Sequence, residues 1–138
     1  MKIGKLSLLM ILGIIVFTSC DNNDDNNLVQ IPNGNYTGTF TVEYTNGDTF
    51  SNPVTVGFIE ENVYDSNDNL DYYPAGGNGT FEINASTIEF NDVGVWTANF
   101  DWNLILNGVY DFSLNGNELV ISANKNDVGF YKYELIKE

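Results

Sequence analysis

The chain has 138 residues, of which 14% are aromatic, and it sets 19 acids against five lysines with no histidine. A formal charge of −14 repels phosphate backbones and excludes nucleic acid as a partner. No histidine and a single cysteine also exclude Ser-His and Cys-His nucleophile pairs, intrachain disulfides and the usual zinc and haem ligand sets.

Lys2 and Lys5 flank an apolar run over 6–17, and small residues lead from it to Cys20. This is the layout of a secretory signal, and the run is too short for a comfortable membrane span. Phe17-Thr18-Ser19-Cys20 resembles the lipobox of bacterial lipoproteins, with Phe17 standing where that family usually has Leu. The resemblance implies that 1–19 is removed as a signal peptide and that Cys20 becomes an acylated N-terminus carrying fatty chains such as palmitate. All nineteen acids follow Cys20 but only Lys125, Lys132 and Lys137 do, so the mature side chains carry −16. Such a chain is held to the membrane by its acyl groups, at about 0.8 kcal/mol per buried CH₂, and not by anionic lipid.

Residues 20–34 read as a tether, because the Asp-Asn run over 21–27 has nothing to bury. The run is either a spacer or a sorting tag. Acidic stretches just after the acylated cysteine resemble the export signal of some Gram-negative lipoproteins. That resemblance implies an outer-membrane protein at the cell surface, the alternative being one that faces inward.

From 35 to 138 the pattern has period two almost throughout, which is the signature of half-buried strands. In 36–44, Tyr36, Phe40, Val42 and Tyr44 share a face with Gly38, while Thr37, Thr39, Thr41 and Glu43 take the other. Asn46-Gly47-Asp48 is a hairpin turn, since Asn and Gly tolerate positive φ at little cost. A second strand covers 54–58, and Pro53, lacking a donor, is expected at its entrance or at a bulge. Residues 60–78 form the longest irregular stretch, with Tyr72-Tyr73-Pro74 inside it. Strands follow at 80–83 and 87–90, joined by Asn84-Ala85-Ser86. A segment bounded by Trp96 and Trp102, with room for a short helical turn, leads into an apolar strand at 104–106. Three more strands cover 109–114, 118–123 and 130–136, with the turn Asn115-Gly116-Asn117 between the first two. Tyr110, Phe112 and Leu114 should face inward beside Leu119 and Ile121, and Val109, Asp111 and Ser113 outward, because a one-residue slip would bury Asp111.

Eight strands joined mainly by tight turns bury their faces best as a closed, antiparallel up-and-down β-barrel, which also removes exposed edges. A two-sheet sandwich is the alternative. Phe40, Phe58, Phe81, Phe90, Tyr110, Phe112, Tyr131 and Tyr133 compete for the interior, so the barrel should be filled. Gly34-Asn35-Tyr36-Thr37-Gly38-Thr39-Phe40, the 96–102 segment, Leu104-Ile105-Leu106-Asn107-Gly108 and Tyr133-Glu134-Leu135 resemble the small lipocalin-like domains of bacterial surface lipoproteins. The resemblance implies an all-β barrel and a small apolar or amphipathic ligand, but no particular one.

Candidate sites are few. Tyr72, Tyr73, Trp96 and Trp102 lie near loops or a barrel mouth, where rings stack on sugars, line an apolar pocket or, for the two Trp, plug one end. Asp65, Asn67, Asn69 and Asp71 place oxygens at alternate positions, as calcium loops do. Leu70 however stands where such a loop needs Gly, and Gly76 where it needs a bidentate Glu. No pair of carboxylates stands out for acid–base work. The expectation is a monomeric, non-enzymatic, lipid-anchored barrel without cofactor. Two rivals differ in class: an acidic protein capturing a basic macromolecule such as lysozyme, and a glycan-binding module using the loop aromatics.

Overall fold

The computed structural model describes residues 29–97 and 99–138. The signal, Cys20 and the 21–27 run lie outside the described residues. Eight strands close an antiparallel up-and-down barrel in which each pairs with its sequence neighbour and the last returns to the first. They are β1 (Gly34–Tyr44), β2 (Thr49–Ile59), β3 (Val63–Ser66), β4 (Gly77–Asn84), β5 (Thr87–Asp92), β6 (Gly108–Asn115), β7 (Glu118–Lys125) and β8 (Gly129–Lys137). The expected barrel is the observed fold.

The period-two reading sets the inward faces. Tyr36, Phe40 and Val42 of β1 are buried, while Glu43 on the other face is exposed. On β6 and β7 the pairs Phe112–Ile121 and Leu114–Leu119 match the expected register. Tyr110, Leu119 and Ile121 are buried, and Val109, Asp111 and Ser113 are exposed. Phe112 and Leu114 are only half-buried, because β5 begins at Thr87, opposite Asp111, and leaves them less covered.

Two assignments change. The sequence reading placed 60–78 outside regular structure, yet Val63–Ser66 is a strand pairing with both β2 and β4. Four residues with one buried side chain, Tyr64, are too short to show an alternation. Conversely, Leu104-Ile105-Leu106 is not a barrel strand. A 3₁₀ turn at Trp102–Leu104 leads into a single bridge between Ile105 and Gly76, and all three apolar side chains are buried. An apolar run without alternation fits a fully buried plug as well as a strand.

Pro53 lies inside β2, opposite Thr39, rather than at its start. The Thr55 amide, two residues on and pointing the same way, donates to the Asn67 side chain on the side away from β1. Pro53 therefore turns its missing donor to a stretch where β3 does not reach, and no ladder bond is lost.

The interior is filled by rings. Phe58, Phe81, Phe90, Tyr64, Tyr110 and Tyr133 are all buried, and meet edge to face or tilted at centroid distances from 4.7 Å (Tyr64–Phe90) to 6.4 Å (Phe58–Phe90). Each such side chain contributes about 1.5–3 kcal/mol by leaving water, and ring pairs add up to about 1.5 kcal/mol more. Strand directions put the connections 45–48, 67–76, 93–107 and 126–128 at one end of the barrel. The chain enters at the other end, where Ile31 joins the core and the Tyr36 hydroxyl donates to the Pro32 carbonyl at 2.9 Å.

Candidate functional site

The two longest connections, 67–76 and 93–107, fold over the barrel end opposite the chain's point of entrance and bind each other. Ala75 donates its amide to the Leu104 carbonyl at 3.0 Å, and Leu106 donates to Gly76 at 2.9 Å. From inside the barrel the Tyr64 hydroxyl donates to the Leu106 carbonyl at 2.6 Å. The 104–106 plug is thus tied from both sides, and apolar burial holds it down.

Lys125 completes the attachment. It follows Leu119, Ile121 and Ala123 in phase on the inward face of β7. Its ammonium donates to the carbonyl of Asn107 at 2.7 Å, with those of Asn103 and Ile105 at 3.4 and 3.5 Å. It lies over the Tyr110 ring at 4.3 Å and reaches that of Tyr131 at 5.8 Å. Burial lowers its pKa to about 8, with the charge of Asp101 acting in the opposite direction. Asp101 is itself a hub. Tyr44 and Tyr131 donate their hydroxyls to one of its oxygens at 3.0 and 2.5 Å, and Asn103 donates backbone and side-chain N–H groups to the other. Burial first, and then Asp101, push both phenols well above their ordinary pKa.

Outside the plug, aromatic rings face the surface. Tyr72 stacks flat on Phe100, at 4.6 Å and 5°, and Phe100 meets Trp96 edge-on at 6.0 Å. Tyr73, the next residue, stacks on Phe50 at 4.3 Å and 10°. Tyr72 has φ +60°, a left-handed conformation that costs a non-glycine residue about 1–3 kcal/mol. The Trp96 indole donates to Asp92 at 2.6 Å. Of the four aromatic candidates, Tyr72, Tyr73 and Trp96 thus enter a common set of ring contacts, directly or through adjacent backbone. Trp102 stands 59% exposed at the start of the 3₁₀ turn. Of the two tryptophans expected to plug the barrel, Trp96 is half-buried against the core while Trp102 is largely exposed, and the fully buried side chains at this end are Leu104, Ile105 and Leu106.

Two of the four calcium-like side chains accept local hydrogen bonds and the two aspartates stand exposed. Asp65 points outward from β3, the Asn67 side-chain oxygen accepts from Thr55 N–H at 2.6 Å, and that of Asn69 accepts from Asp71 N–H at 3.4 Å. Among the described residues no three carboxylate, histidine or cysteine side chains gather around a common point.

Sequence reasoning missed Lys125, Asp101, Phe50 and Phe100 as parts of this end. Lys125 was within reach, since a lysine in phase with three inward-facing apolar residues points inward. The pairings of Phe50 with Tyr73 and Phe100 with Tyr72 join distant segments and leave no local signal.

Leu70 is 99% exposed, Val95 90% and Val93 66%, all on these two connections. Clefts lie beside other residues: one of about 460 Å³ at this same end between Tyr44, Thr45 and Asp127, one of about 410 Å³ at the opposite end between Ile31, Glu61 and Phe81, and one of about 380 Å³ on the wall beside Phe90 and Gly108. No protein-family model matches the chain, and no curated protein or solved structure shows significant similarity to it.

Proposed function

We propose that this protein is a lipid-anchored lipoprotein of the Gram-negative outer membrane that displays a non-enzymatic, lipocalin-like barrel at the cell surface. It takes an apolar or amphipathic ligand on its capped end and not in its interior. The observation that carries this reading is the contrast between a ring-filled interior and a cap bearing exposed Leu70, Val93, Val95 and Trp102. Exposed apolar groups concentrated at one end of a domain mark interaction sites more often than singly scattered ones do. The cap also lies opposite the end where the chain enters, so a membrane tether at the N-terminus would turn it outward. The lipobox-like 17–20 and the acidic 21–27 support anchoring and export.

Both tryptophans belong to the 93–107 connection, so tryptophan emission reports on the cap alone. Titrating the full chain with an apolar dye should shift that emission. A shift absent in the wild type, or unchanged in Leu70→Ser, would remove the cap as the site. Mass spectrometry of the mature N-terminus should find an acylated Cys20, and protease should reach the domain on intact cells.

A further inference from the structure

We infer that the cap's ligand is a cationic amphipathic peptide, an inference that rests on the cap being the binding surface. Three features of that surface select it. The first is shape. Small-molecule sites enclose most of their ligand, whereas Leu70, Val93 and Val95 stand 66–99% exposed on two adjoining connections and line none of the three clefts described above, the one at this end beside Tyr44 and Asp127 included. A broad open surface suits the apolar face of a peptide, which brings several side chains at once.

The second feature is chemical type. Sugars stack on flat rings, and Tyr72 and Tyr73 supply such rings. Leu70, Val93 and Val95 are branched aliphatic groups with no such use, and they are the more exposed. Their natural counterparts are aliphatic and aromatic side chains.

Charge is the third. Asp68 and Asp71 stand exposed on the same connection as Leu70, and Asp127 on the adjoining turn. Of the three described lysines, Lys125 is turned inward onto carbonyls, Lys132 pairs with Glu134 at 3.1 Å on the wall, and Lys137 lies at the far end on β8. The cap therefore repels anionic amphiphiles, gives a neutral glycan no charge term, and attracts a peptide that carries its own cations.

The test uses purified full-length protein, with matched lipid and buffer blanks, and follows tryptophan emission and calorimetry. The probes are a synthetic Lys/Leu amphipathic helical peptide, its sequence-scrambled form, a Glu/Leu counterpart, and a neutral soluble oligosaccharide. The Lys/Leu peptide should bind and the Glu/Leu peptide should not. Affinity should fall about tenfold between low and high salt, as exposed charges are screened. Leu70→Ser should weaken binding roughly tenfold, since a fully exposed leucine makes no folding contact and its burial is gained only in the complex. Asp68→Asn with Asp71→Asn should weaken binding and flatten its salt dependence. Equal binding of the scrambled or Glu/Leu peptide, or no effect of Leu70→Ser, overturns the inference. Binding of the oligosaccharide alone, lost in Tyr72→Ala, overturns it too but leaves the cap as the site. Silence from every probe overturns both.

Discussion

The Lys125 ammonium lies 4.3 Å from the centre of the Tyr110 ring, between the aromatic core and the plug that closes the barrel. Its bonds to cap carbonyls and its burial oppose each other. A pKa lowered from 10.5 to about 8 means that, for the charged form relative to the neutral one, burial outweighs the favourable contacts by about 3 kcal/mol. Lys125→Met should therefore change global stability by less than about 2 kcal/mol, yet release the plug locally. Hydrogen exchange at Ile105 and Leu106 should quicken at least tenfold while β1 and β8 amides keep their protection. Uniform change across the barrel would show that Lys125 serves the core and not the cap.

Stability should peak at mildly alkaline pH. Lys125 is depressed in the fold, so the unfolded chain binds more protons between about 8 and 10.5, and this group adds stability as pH rises through that window. The tyrosines act the other way. Tyr110 and Tyr133 are buried and their pKa values are raised by burial, so their contribution is intact below 10 and is lost above it. Each costs about 1.4 kcal/mol per pH unit once the unfolded phenol ionises, or about 3 kcal/mol per unit for the pair. Phenolate absorbance from the core should thus appear together with loss of near-ultraviolet dichroism. Ionisation of these tyrosines well before unfolding would contradict the packing described.

The barrel was legible because alternation on β1, β6, β7 and β8 leaves one choice of inward face, and Asn-Gly turns mark the β1–β2 and β6–β7 hairpins. What stayed hidden has physical reasons. Val63–Ser66 is recognised as a strand only by its neighbours, since one buried Tyr64 makes no pattern. Leu104-Ile105-Leu106 is equally apolar whether it pairs or plugs. The cap was half visible: Tyr72, Tyr73, Trp96 and Trp102 announced aromatic loops, but their partners Phe50 and Phe100 are fixed by tertiary contacts that no spacing encodes.

Side-chain truncations should rank by cover. Phe90, 1% exposed and touching Phe58, Phe81, Tyr64 and Tyr110, should cost about 3–5 kcal/mol on change to alanine. Phe112→Ala, half-buried beyond the end of β5, should cost about half as much, and Ser113→Ala under about 0.5 kcal/mol. Urea unfolding midpoints measure all three. A Ser113 effect matching that of Phe112 would mean that β6 is out of register by one residue.

Two glycines should respond differently to the same methyl group. Gly38 has an ordinary strand conformation, but it sits where β1 crosses β8, and a Cβ there would lie 1.9 Å from the Glu134 carbonyl oxygen and 2.9 Å from Leu135 Cα. Both obstacles are backbone, so the two strands that close the barrel would have to part. Gly47 stands in the β1–β2 turn at φ +94° with open space around it, so an alanine there meets only the torsional cost of the left-handed region. That cost is about 1–2 kcal/mol, whereas forcing β1 from β8 should take about 3 kcal/mol or more. Gly38→Ala should also speed exchange of the amides paired across β1 and β8, while Gly47→Ala leaves them protected. Equal midpoints for the two variants, with the β1–β8 amides undisturbed in both, would show that the closure is looser than the Gly38–Glu134 contact requires.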